Sequence, residues 1–113
     1  MLENSFQSSL ISEIKERFPS CLVLKNDANY IQGFPDLLVL HKDRWAALEC
    51  KKSKKEKKQP NQEYYIDVLG KMSFGSFVCP ENKEEVLNEL QQAFRTRRAT
   101  RLPKSKSIPL DKL

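Results

Sequence analysis

Histidine is almost missing from this 113-residue chain, which holds one, and cysteine is sparse, with three. The single histidine lies in the polar stretch His41-Lys42-Asp43-Arg44, where a turn and solvent exposure are expected, so histidine-driven acid–base chemistry is disfavoured. Cys21, Cys50 and Cys79 are widely spaced and each is embedded in an apolar run. That spacing excludes a Cys-x-x-Cys zinc site and a disulfide framework, and predicts buried, reduced thiols. No apolar stretch approaches the roughly 20 residues that span a bilayer. The start Met1-Leu2-Glu3-Asn4 has neither the basic nor the apolar region of a signal peptide, so no membrane partner and a cytosolic location are expected. There is no internal repeat, and the length suits one small domain rather than two.

Charge is plentiful but unevenly placed. Residues 1 to 94 hold 13 Lys and Arg against 14 Asp and Glu, a net of −1, whereas residues 95 to 113 hold seven against one, a net of +6. The last segment also loses apolar periodicity and gains Pro103 and Pro109, so a folded domain over 1–94 and a basic, mobile tail over 95–113 are expected. A second basic cluster puts six lysines in the eight positions from Lys51 to Lys58. Clusters of this kind are footprints for polyanions, although a solvated surface is an equally fair reading of the lysine run.

Along the chain, Phe6, Leu10, Ile14 and Phe18 recur at helical spacing, with Asn4 as a cap and Pro19 as the stop. Cys21 to Leu24 reads as a strand. The apolar runs Leu37 to Leu40 and Trp45 to Leu48 read as two strands joined through the polar tetrad. Pro60 opens a second helix with a buried face of Tyr64, Tyr65, Val68, Leu69 and Met72. Ser76 to Cys79 forms a fourth strand, and a last helix is capped by Asn82 with Glu85 and buries Val86, Leu87, Leu90, Ala93 and Phe94. The fold class is therefore α/β, in the order α-β-β-β-α-β-α, with the second helix carrying a crossover into a mixed four-stranded sheet.

Chemistry concentrates on the central hairpin. If its turn is symmetric, Leu40 faces Trp45 and Asp36 faces Glu49, with Cβ atoms about 5 Å apart, and Lys51 lies on the same face as Glu49. Two acids face to face destabilise a sheet unless something neutralises them. A hard divalent cation does so, and a site with few protein ligands suits Mg²⁺, with Mn²⁺ as its substitute, because the ion keeps waters and takes oxygens from a phosphate. The Cys50 carbonyl is a further candidate ligand if this strand lies on an edge, its thiol pointing to the opposite face. The bland alternative is a solvent-facing hairpin whose acids pair with neighbouring lysines.

Pro35-Asp36, followed after one hairpin by Glu49-Cys50-Lys51, resembles the signature of the PD-(D/E)XK nucleases, and in particular their viral-type replication-repair (VRR-NUC) and Holliday-junction-resolvase branches. The resemblance spans roughly residues 1 to 94. It includes Glu3 ahead of Phe6-Gln7, Gly33-Phe34-Pro35-Asp36, and Gln62 early in the second helix. It implies a restriction-endonuclease-like core and Mg²⁺-dependent hydrolysis of DNA phosphodiesters, of the kind used in recombination, repair and phage replication. Asp36 and Glu49 would hold the metal, and Lys51 would orient or help deprotonate the attacking water. Glu3 would complete the metal shell, with Glu13 as its substitute. Gln62 would contact phosphate or a base edge. Ile66 stands where some relatives place a tyrosine, which puts an exonuclease-type contact in doubt.

Lys52, Lys54 and Lys55, with Arg95, Arg97, Arg98 and Arg101, would neutralise DNA phosphates and release counterions. One small domain with one site cuts one strand. Symmetric cleavage of two strands therefore calls for a homodimer, for which apolar residues near Phe74 and Tyr30 are candidates. A sequence-specific homing or restriction-like enzyme of the same fold, or a catalytically silent DNA-binding module, are the alternatives.

Overall fold

A computed structural model describes residues 3–27 and 29–95. Its elements run α1 (Glu3–Arg17), β1 (Leu22–Lys25), β2 (Leu37–His41), β3 (Arg44–Cys50), α2 (Pro60–Met72), β4 (Phe74–Val78) and α3 (Lys83–Arg95). The strands form one sheet in the order β1-β2-β3-β4, antiparallel for the first two pairs and parallel for β3 with β4. A parallel neighbour cannot be reached by a tight turn, and α2 supplies the connection.

Period-2 alternation divides the sheet into two unlike faces. Leu37, Val39, Ala46, Leu48, Cys50 and Val78 point to one side, where they join Phe6, Leu10, Ile14 and Phe18 of α1 and Val86, Leu87 and Leu90 of α3 in one buried cluster. This core holds the apolar periodicity of α1 and α3. All three cysteines are free and buried, as the spacing predicts.

The other face is covered only over β3 and β4, by α2, and it corrects an expectation. No residue of α2 is buried. Tyr64 and Met72, expected to face inward, are 60% and 68% exposed. Tyr65, Val68 and Leu69 are half-buried, on the side expected of them, and backbone proximity adds to the contact. A Cβ placed on Gly75 of β4 would lie 2.8 Å from the Ile66 carbonyl and 2.9 Å from the Gly70 amide, so helix and strand backbones meet where neither residue has a side chain. Gly70, which appears in sequence to weaken the helix, is half of that contact. Beyond the reach of α2, Leu22 and Leu24 remain 63% and 47% exposed on β1. Phe74, expected on the outer surface, packs against the core cluster instead, whereas Tyr30 is exposed.

The hairpin is tighter than the polar tetrad suggests. His41 pairs with Arg44 and Leu40 with Trp45, leaving Lys42 and Asp43 as the turn. Lys42 takes a positive φ of 58°. A side chain there costs about 1 kcal/mol relative to glycine, so Lys42→Gly is expected to raise stability by about 0.5–1 kcal/mol in urea unfolding. A loss would show that the lysine side chain stabilises the turn. His41 is not the exposed turn residue expected. Its ring stacks on Phe94 at 5.3 Å and lies 5.2 Å from Phe18, closing the end of the core between α1 and α3.

Two cap expectations also change. Helix α1 begins at Glu3, so Asn4 lies within it. The Asn82 side chain turns back to β4, accepting from the Cys79 amide at 2.8 Å and donating to the Phe77 carbonyl at 3.2 Å, rather than forward to the helix. No described helix is long and apolar enough to cross a membrane.

Candidate functional site

Residue 36 directly precedes Leu37, which pairs with Leu48, so the observed register sets Asp36 opposite Glu49. Several constraints fix the approach to β2. The Asn26 amide donates to the Asp36 carbonyl at 2.8 Å, and its side chain donates to the Pro35 carbonyl at 2.7 Å. Gly33 has φ of +84° and lies so close to α2 that an added Cβ would fall 2.3 Å from Asn61 Cβ. The loop carrying Asp36 is thereby seated on the first turn of α2. On the far side, Asp36 Oδ2 accepts the Cys50 N–H at 2.9 Å.

Glu49 and Lys51 lie on the α2 face, as alternation requires, and the start of that helix covers them. They are the buried charged residues among those described, 4% and 5% exposed. Burying a carboxylate and an ammonium costs several kcal/mol unless each is hydrogen-bonded. Gln62 joins the two. Its Nε2 donates to Glu49 Oε2 at 2.9 Å, and its Oε1 accepts from Lys51 Nζ at 2.6 Å and from the Gln59 amide at 3.0 Å. An amide suits this position because it offers a donor to the anion and an acceptor to the cation. The helix N-terminus adds a favourable field for the carboxylate.

Lys51 Nζ also donates to the Lys57 carbonyl at 3.2 Å and pairs with Glu56 Oε2 at 3.6 Å. Glu56 belongs to the loop between β3 and α2 and was not legible as a site residue. The available signal is a lone acid inside a lysine run. Burial pushes the Asp36 carboxyl above its ordinary range, the Cys50 amide and Lys51 pull it down, and Glu56 adds to the rise.

The sign for stability follows. The folded chain holds the Asp36 proton more tightly than the unfolded chain, so Asp36's favourable contribution is complete below its unfolded value near 4 and is lost as pH rises through the folded value. Asp36→Asn, which can still accept the Cys50 N–H, is therefore expected to melt higher than wild type at pH 7. The difference should shrink as pH falls below the carboxylate range. An unchanged or lower melting temperature at pH 7 would show that the ionised carboxylate stabilises the fold.

Other expected residues fall in different places. Glu3 opens α1, but its side chain lies outside the described residues. Glu13, its substitute, pairs with Lys83 at 2.7 Å. Strand β3 is interior, so Cys50 sits at the end of an inner strand and not on an edge, with its thiol in the core as expected. Lys52, Lys54, Lys55 and Arg95 are exposed, and Arg97, Arg98 and Arg101 lie outside the described residues.

No family model matches the sequence, and neither a curated protein nor a solved structure matches it. The chemistry must be argued from the site alone. Among the described residues no three His, Cys, Asp or Glu side chains cluster as a metal group. The donor set among the described residues is therefore the two carboxylates of Asp36 and Glu49. That is too few for a closed cage, but it fits a hard ion that draws its other oxygens from water and phosphate. The desolvated Asp36 carboxyl is a group whose charge such an ion would offset.

Proposed function

We propose that this chain is a Mg²⁺-dependent DNA endonuclease of the PD-(D/E)XK type, built on a restriction-endonuclease-like core and acting on branched DNA as a resolvase does. The observation that carries the reading is the arrangement around Gln62. One amide ties a buried lysine to a buried glutamate, directly beside an aspartate pinned to the intervening residue's N–H. A structural ion pair on a hairpin needs neither the burial nor the third charged group.

In this reading Asp36 and Glu49 hold the ion, with Mn²⁺ able to replace Mg²⁺. The bound ion supplies Lewis acidity toward the phosphate and a lowered pKa for its water. Lys51 orients the attacking water and faces the charge that grows on the phosphate oxygens. Gln62 is the positioning residue that holds Lys51 and Glu49 in register. The exposed lysines Lys52, Lys54 and Lys55, with Arg95 and the tail arginines, bind the DNA backbone without reading sequence.

A homodimer in the cytosol completes the proposal, each copy cutting one strand. Leu22 and Leu24 on the uncovered half of the sheet are the better candidates for its surface, since Phe74 faces inward. The absence of a third metal-binding side chain among the described residues favours a second reading, a silent DNA-binding module. Titrating Mn²⁺ into wild type and Asp36→Ala by calorimetry separates the two. Nuclease chemistry requires binding heat in wild type that the variant lacks, and no heat in wild type selects the silent module.

A further inference from the structure

Lys51 donates to Gln62 Oε1 at 2.6 Å and to the Lys57 carbonyl at 3.2 Å, and Glu56 Oε2 stands at ion-pair distance, 3.6 Å. The ammonium therefore has two hydrogen bonds and one counter-ion in the free protein. A phosphate approaching this lysine competes with that counter-ion. Of the three, Glu56 is the most distant and alone carries a negative charge.

The loop that carries Glu56 is rich in charge of one sign. From residue 52 to 58 it holds five lysines and this single acid. Inside the loop the Lys52 amide donates to Glu56 Oε1 at 2.7 Å; outward, the Lys54 amide donates to Glu81 Oε1 at 3.3 Å and the Lys57 carbonyl accepts from Lys51 Nζ at 3.2 Å. None of these ties involves the hydrophobic core. A cleft of about 90 Å³ opens beside the pair, lined by Lys51, Lys54, Glu56, Lys58 and Phe77 among others. Lys58 sits over the Phe77 ring at 4.7 Å, so a second ammonium borders the same space. A carboxylate and a phosphodiester both present paired anionic oxygens to a lysine, and the lysine-rich wall of the cleft favours either.

We propose that Glu56 is an internal stand-in for a DNA phosphate. Its carboxylate latches Lys51 in the free protein and is displaced when a backbone phosphate enters the cleft. The inference rests on reading Lys51 as the ammonium that faces phosphate. Glu56 then sets a threshold: the polyanion must outcompete a carboxylate already in place, and the surrounding lysines supply the attraction that does so.

The experiment measures affinity for a linear duplex by fluorescence anisotropy, in EDTA and at low salt, so that no cleavage occurs. Glu56→Gln keeps an acceptor for the Lys52 amide and removes the charge. It is expected to bind about tenfold more tightly than wild type, with a smaller gain at high salt. Glu81→Gln removes an acid from the same loop's second tie without touching Lys51, and it should gain much less. In a Lys51→Met background, Glu56→Gln should give no gain. Unchanged or weaker binding by Glu56→Gln overturns the latch, as does an equal gain in Glu81→Gln or a gain that survives without Lys51. If Glu56→Gln fails to fold, Glu56→Asp, which withdraws the carboxylate by one methylene, should show an intermediate gain, and no gain there overturns the latch equally. A parallel incubation of wild type with Mg²⁺ and a four-way junction keeps the two ideas apart. A Lys51-dependent gain in a protein that cuts nothing removes the nuclease and keeps the latch, whereas cutting without any gain removes the latch alone.

Discussion

Alanine at Asp36, Glu49 or Lys51 is expected to reduce Mg²⁺-dependent cleavage of a four-way junction by about 10³-fold or more, with binding of the same junction in EDTA retained. The three variants fail for different reasons. Without either acid the proposed ion would lose one of the two carboxylates assigned to it among the described residues, and excess Mn²⁺ should restore part of the rate. Without Lys51 the ion stays, but the water and the phosphate charge lose their partner, so added metal should not help. Lys51→Ala and Glu49→Ala also leave a buried charge without its counterpart through Gln62, and each should destabilise the fold by about 3 kcal/mol. Melting curves must therefore accompany the rates. Cleavage that persists in any folded variant would show that the reaction centre lies elsewhere. Comparison of linear duplex, flap and four-way junction at matched salt then ranks the substrates.

Gly33→Ala, three residues before Asp36 and outside every strand, is expected to lower stability by about 3 kcal/mol. Two effects add. The residue adopts φ of +84°, which disfavours any side chain, and the new methyl would meet Asn61 at 2.3 Å, with the Asn61 backbone carbon at 3.0 Å behind it. A backbone atom cannot move aside by changing rotamer. Relief must come from shifting the first turn of α2, and Gln62 moves with that turn. The variant should therefore lose Mn²⁺ affinity as well as stability, measured by calorimetry below its melting temperature. Wild-type metal affinity in a folded Gly33→Ala protein would show that Gln62 is not positioned through this contact. Gly75 faces a similar backbone wall, but its substitution should lift the middle of α2 and disturb the site less.

Much of this arrangement could be read from the chain, and the exceptions share a cause. The hairpin register is written in two apolar runs flanking a polar turn, and once Leu37 is opposite Leu48 the positions of Asp36, Glu49 and Lys51 follow from strand geometry. Helices α1 and α3 show their inner faces because large side chains bury against one core. Helix α2 does not, because Gly70 and Gly75 bring the backbones together and periodicity then assigns Tyr64 and Met72 the wrong side. His41 escaped because its neighbours Phe18 and Phe94 come from the two ends of the chain. Gln62 was placed near the site by resemblance to a family motif, but its role as a bridge depends on which amide atom faces which charge. Glu56 lies in a loop with no period to reveal its direction. Contacts made by backbones and loops leave little trace in residue spacing.

The parallel pairing of β3 with β4 has a consequence for the order of folding. The Lys51 amide bonds to the Val78 carbonyl at 2.8 Å, and that bond joins segments on either side of the whole α2 crossover. Closing so long a loop is slower than closing the hairpin. The two acids should thus meet early, as a like-charged pair with Lys51 beside them but without the Gln62 bridge, which arrives only with α2. Refolding in the presence of Mn²⁺ should for that reason be faster than refolding in chelator, with the acceleration missing in Asp36→Asn.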